Sequence, residues 1–162
     1  MSGPFASDLL TGRTALVTGG GTGLGLAIAE GLSAAGADVV IAARQRERLE
    51  AAAEQLRSRT GGSVAVDVVD IRNRETIEAL AGRHQIDILV NNAGGQFPQK
   101  ARDYSPNGWG SVIDLNLTGT WAMTQVFGNQ MLAADGGAIV QIVAIVGRGI
   151  PGIAHSAAAR AG

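Results

Sequence analysis

Two groups of residues have the types and spacing to do chemistry. Near the end of the chain, HSAAARAG places Ser156 four residues before Arg160, so on a helix the two share one face. A hydroxyl beside a guanidinium suits holding a hydroxylated or anionic ligand. It suits proton transfer poorly, because a serine hydroxyl is far less acidic than a phenol and arginine does not exchange its proton. His155 adjoins Ser156, but neighbours on a helix point about 100° apart. That favours a capping or loop role for His155 over direct pairing.

The second group is TGGGTGLG, from Thr18 to Gly25. Glycines at 19, 23 and 25 let the backbone bend sharply and let a pyrophosphate approach. Thr22 and Leu24 stand where a helix begins, with free N–H groups and a positive dipole end for the anion. Sites for NAD usually put an acidic residue at the end of the next strand. Here the residues are Ala42, Ala43 and Arg44. Small side chains leave room for a 2′-phosphate, and Arg44 offers a planar cationic fork to hold it. The pattern favours NADP(H) over NAD(H). Arg46 and Arg48 read instead as charges solvating a helix start, with Glu50 an i,i+4 partner for Arg46.

These residues need elements to position them. TALVT (14–18), DVVIA (38–42), SVAVD (63–67), DILVN (87–91) and AIVQIVA (138–144) are short apolar runs without clean alternation. Such runs are expected of parallel strands covered on both faces. Helical patterns lie between them, at Leu24–Ala35, Arg46–Arg59, Arg74–Arg83 and from about Gly108 to Ala134. Asn73 is positioned to cap the third, with Glu75 in its first turn. The alternation predicts one α/β domain over 1–162, a doubly wound Rossmann-type parallel sheet of five strands with helices on both faces.

Composition narrows the function classes. Formal charge is −1 and no long basic run occurs, so neither nucleic acid nor a membrane surface is the expected partner. There is no cysteine and only two histidines, without ligand spacing, so no metal site is expected. MSGPFASDLL has no basic n-region, and the apolar run at Ile139–Val146 is too short to span a bilayer. A cytoplasmic protein is expected. The 24 glycines, about twice the usual share, mostly end apolar runs and punctuate a globular fold. Trp109 and Trp121 are read as core or helix-packing residues.

Thr18-Gly19-xxx-Gly23-x-Gly25 together with Asn91-Asn92-Ala93-Gly94 resembles the short-chain dehydrogenase/reductase family. The resemblance implies a dinucleotide-binding oxidoreductase and, with it, a homo-oligomer (dimer or tetramer) acting on a small-molecule substrate. It implies that Asp70 and Ile71 meet the adenine, with Asp67 as the competing carboxylate. It also implies that Asn92, Ala93 and Gly94 lie along the cofactor ribose, and that Asn116 in DLNLTG holds an active-site water or proton relay. The alternative for Asn116 is a polar group that kinks or caps a helix.

The family's usual serine position falls here on Ala144, and its YxxxK pair on Ser156 and Arg160. Arg160 would then hydrogen-bond the nicotinamide ribose, and Asn116, Ser156 and Arg160 are the candidate catalytic residues. With NNAGGQF, DLNLTGT and HSAAARAG, the chain is similar to peroxisomal-type trans-2-enoyl-CoA reductases and 2,4-dienoyl-CoA reductases. Their substrate class, an enoyl thioester, is the one implied. Classical carbonyl or alcohol oxidoreduction, and a dinucleotide-binding protein without catalysis, are the alternatives. An anion site for another nucleotide is a third. The family fold runs on for roughly another hundred residues, so the chain is expected to be its N-terminal two-thirds or so, with its last strand left as an edge.

Overall fold

A computed structural model describes residues 6–144 and 151–162. Five parallel strands run in the order β3-β2-β1-β4-β5. They are β1 (Thr14–Thr18), β2 (Asp38–Ala43), β3 (Val64–Val68), β4 (Ile88–Asn91) and β5 (Ala138–Gln141). The helices are α1 (Gly23–Ala34), α2 (Arg46–Thr60), α3 (Arg74–Arg83), α4 (Pro106–Ile113), α5 (Gly119–Leu132) and α6 (Ala154–Ala161). The expected doubly wound sheet is present, and strand order reverses between β1 and β4, where such folds bind ligands.

The apolar strands serve two cores at once. Leu16, Val40 and Leu89 pack with Ile77, Leu80, Met123 and Phe127 on the α3–α5 side. Ala15, Val17, Val39, Ile41 and Val90 pack with Leu49, Ala53 and Leu56 on the α1–α2 side. Alternate residues thus face opposite layers, which is why every position must be apolar. Burial of each large side chain contributes about 1.5–3 kcal/mol.

Two elements differ from expectation. The fifth strand ends at Gln141, because β4 ends at Asn91 and its last carbonyl already receives the Ile142 N–H (2.9 Å). The apolar run up to Val146 continues outside the described residues. The long helix starts earlier, where Ser105 caps α4 by accepting from the Gly108 N–H (3.0 Å), and is interrupted by a π turn, Asp114–Thr118. Within that turn Asn116 donates to Val112 O (2.9 Å) and to Gly95 O (2.7 Å), so a side chain intrudes on the helical ladder. Trp109 and Trp121 are not core: they are 41% and 56% exposed. No described helix is long and apolar enough to cross a membrane.

Candidate functional site

The glycine turn is held from behind by the end of β4. Thr18 Oγ1 donates to Val90 O (3.2 Å) and accepts from the Asn92 and Ala93 N–H groups (both 3.0 Å). Asn92 Nδ2 donates to Thr18 O (2.9 Å). The Asn92 side chain therefore ties the two loops together, while Ala93 and Gly94 line the cleft. Gly25 is required by close approach, because a Cβ there would sit 2.4 Å from Gly19 O and 2.5 Å from Asn92 Nδ2. Thr22 makes no side-chain capping bond and the first turn of α1 has no acidic residue, so its N–H groups stay open to an anion. Gly23 and Leu24 begin that turn and are exposed.

A cleft runs from this turn over the ends of β2 and β3. One part, lined by Gly19, Ala42, Arg44, Asp70, Ile71 and Gly94, encloses about 150 Å³. A second part, lined by Thr22, Arg44, Gln45 and Arg48, adjoins it. Arg46 pairs with Glu50 (3.2 Å) as expected, but neither Arg44 nor Arg48 has an ion-pair partner among the described residues. Arg48 faces the cleft and does not merely solvate the helix. Its position one turn into α2, on the face shared with Gln45, is the signal that sequence reasoning passed over.

The two aspartates are separated by their partners. Asp67 is nearly buried and receives Arg83 Nε and Nη2 (2.9 Å each) and His84 Nε2 (3.0 Å), so it bolts β3 to the end of α3. Burial pushes its carboxyl up, but the Arg83 and His84 hydrogen bonds outweigh this and leave it below the ordinary range. Asp70 lines the cleft instead. The Arg72 guanidinium holds its carboxyl below the usual range, with a smaller pull from Arg44.

At the other end of the site, across Ala93, a separate cavity is lined by Asn116, Trp121, Gln141 and Arg160, and there the polar groups satisfy one another. Asn116 Oδ1 accepts from Gly95 N–H (3.1 Å) and Arg160 Nη2 (3.1 Å), and both amide hydrogens of Asn116 go to backbone carbonyls. Arg160 Nη1 donates to Ile142 O (3.0 Å), while its Nε is buried without a partner among the described residues. Arg160 thereby links α6, the π turn and the end of β5. Gly94 has to lack a side chain because a Cβ would lie 2.7 Å from both Arg160 Nη2 and Asn116 Oδ1.

Ser156 is fully buried, and its hydroxyl pairs with Gln96 Oε1 at 2.5 Å. Sequence reasoning did not single out Gln96, which is exposed and keeps its amide donors free among the described residues. His155 Nδ1 accepts from the Ser156 N–H (2.8 Å) within the first turn of α6, whose N-cap is Ile153, so His155 is not the cap. It is not a loop residue: its ring is fully buried, stacked on Tyr104 (4.4 Å) and edge-on to Phe97 (4.6 Å).

A family model described as short chain dehydrogenase matches residues 13–162. The chain belongs to the short chain dehydrogenase family. A probable 2,4-dienoyl-CoA reductase 3 of Caenorhabditis elegans is 41% identical, over 94% of this chain and 52% of its own length. The chain spans about half the length of the first curated relatives it matches, 51–54%. A Pseudomonas aeruginosa citronellol catabolism dehydrogenase superposes with TM-score 0.91 at 38% identity, over 100% of this chain and 68% of that one. An Agrobacterium tumefaciens 3-oxoacyl-(acyl-carrier-protein) reductase with NADP bound does so at 0.87 and 32%, over 96% and 62%.

Short chain dehydrogenases bind a nicotinamide dinucleotide, and the residues here fit one. The N-terminus of α1, the side-chain-free wall at Gly94, and an Arg44 without an ion-pair partner among the described residues, beside Asp70, lie along adjoining parts of one cleft.

Proposed function

We propose that this chain is the cofactor-binding N-terminal part of an NADP(H)-dependent reductase that saturates the double bond of an enoyl thioester. The observation that carries the cofactor choice is Arg44, on the cleft wall behind Ala42 and Ala43 and without an ion-pair partner among the described residues, where the end of β2 carries small side chains in place of a carboxylate. Arg48 adds a second cation beside it. The open N–H groups of α1 hold the pyrophosphate, and Asp70 with the Ile71 backbone holds the adenine. Ala93 and Gly94 leave room for the ribose, and the remaining guanidinium N–H donors of Arg160 reach its hydroxyls.

When bound, reduced nicotinamide supplies a hydride for the β-carbon of the substrate. The chain's own task is to accept developing negative charge on the thioester oxygen. Gln96 supports that role, because Ser156 engages its Oε1 and its Nε2 hydrogens have no partner among the described residues. Asn116 acts through position: with no spare hydrogen it fixes Gly95 and Arg160 and does not donate to substrate. Resemblance to a 2,4-dienoyl-CoA reductase supports the thioester class. Likeness to a 3-oxoacyl reductase supports carbonyl reduction as the second reading. A buried serine bonded to glutamine makes a weak acid for that chemistry.

Two assays test this. Fluorescence titration should give tighter binding of NADPH than of NADH; equal affinity removes the 2′-phosphate argument. Loss of NADPH absorbance should follow addition of a crotonyl or longer enoyl thioester to the full-length protein. Turnover with 3-oxoacyl thioesters alone would select the second reading, and cofactor binding without any turnover would leave a non-catalytic dinucleotide-binding protein.

A further inference from the structure

We infer that Arg72 is a positioning residue for base recognition: it pins the Asp70 carboxylate so that one oxygen stays available to an exocyclic amino group on the nucleotide. This rests on the dinucleotide reading above. The backbone of Asp70 is already fixed, since its carbonyl accepts from the Asn73 N–H (2.8 Å) and from Thr76 Oγ1 (2.9 Å). Its side chain is fixed by a different residue. Oδ1 accepts from both the backbone N–H (3.1 Å) and Nε (2.9 Å) of Arg72, and Oδ2 accepts from Nη2 of Arg72.

A carboxylate has about four acceptor sites. Two contacts saturate Oδ1, whereas Oδ2 holds only one and keeps a lone pair for the cleft that Asp70 lines. The two-point fork also removes the rotation by which the oxygens would exchange places. The outcome is selectivity for a base that donates at this edge. An amino-bearing purine gains a hydrogen bond, and one with an oxo group there meets a carboxylate that cannot rotate away.

The test compares dissociation constants for NADPH and for reduced nicotinamide hypoxanthine dinucleotide phosphate, which carries an oxo group in place of the adenine amino group. Wild type should prefer NADPH by about tenfold or more, the scale of one hydrogen bond to a charged acceptor. Arg72→Ala should bring that ratio close to one. Loss of the Arg72 charge itself acts on both ligands alike, so the ratio isolates the positioning effect. Arg72→Lys keeps the charge without the fork and should also lose the preference, and in an Asp70→Ala background Arg72→Ala should change the ratio no further. An unchanged ratio in Arg72→Ala overturns the inference while leaving the cofactor reading intact. Failure of wild type to bind either dinucleotide overturns both.

Discussion

The two ends of the site, on either side of Ala93, are built on opposite principles. Around Gly19, Arg44 and Asp70 the chain leaves donors, cations and an acceptor site without partners among the described residues. Around Asn116, Arg160 and Ser156 nearly every polar atom is bonded to another part of the chain. Open groups next to a cleft await a ligand, since burying them unpaired would cost more than it gains. Closed groups hold the architecture. The first end should therefore answer to substitution through affinity, and the second through stability and alignment.

The sharpest break is expected at Gly25. Gly25→Val places side-chain atoms against Gly19 O and Asn92 Nδ2, so NADPH titration should show at least a hundredfold loss of affinity. Overpacking should also cost about 1–3 kcal/mol in urea unfolding. Arg44→Ala comes next. Losing a charge-assisted contact to the 2′-phosphate should weaken NADPH by roughly tenfold to a hundredfold. NADH affinity and the unfolding midpoint should barely move. An equal loss for both cofactors would mean that Arg44 does not meet the 2′-phosphate.

Asn116→Ala probes the closed end. It strands Gly95 N–H, Gly95 O and an Arg160 donor, and should destabilise the fold by about 1–3 kcal/mol. NADPH affinity should stay within about twofold, with turnover falling more than KM rises. If affinity collapses while stability holds, the contrast between the two ends is wrong.

The smallest effect concerns acid. Asp67, Asp70 and Asp87, the last of which accepts from the Thr14 N–H (2.8 Å) and Arg13 Nη1 (2.9 Å), all have carboxyls held below the ordinary range when folded. Their contribution to stability is complete above the unfolded carboxylate value near 3.9, and is lost as pH falls through their lower folded values. Asp67→Asn removes one of these partners, so its melting temperature should drop by a few degrees at neutral pH. The difference from wild type should narrow as pH falls below about 4. A gap that widens in acid would reverse this assignment.

How much was legible in the sequence differs between the ends for the same reason. The glycine turn lies within one stretch from Thr18 to Gly25, and its meaning follows from backbone geometry and the flanking strand and helix. Arg44 was legible because it directly follows a strand whose end is recognisable. Arg48 was not, since a cation in the first turn of an exposed helix looks the same whether it faces solvent or a cleft. At the closed end the partners are remote: Ser156 and Gln96 are 60 positions apart, and Asn116 and Arg160 are 44 apart. The helix over Gly108–Ala134 was legible as helix, but its π turn depends on Gly95 O, which no local pattern announces.

The sequence by itself determined the alternating strands and helices, the glycine-rich anion turn and the cationic end of β2. Each is a property of neighbouring residues, expressed through periodicity, backbone freedom and local charge. Only the tertiary structure decided that Asp70 and not Asp67 faces the cleft, that Asn116 has no hydrogen to spare, and that Gln96 Oε1 is taken by Ser156. Those outcomes depend on which distant group arrives first at a lone pair or an N–H, and hydrogen-bonding capacity is exhausted by contact in space, wherever the partners lie along the chain.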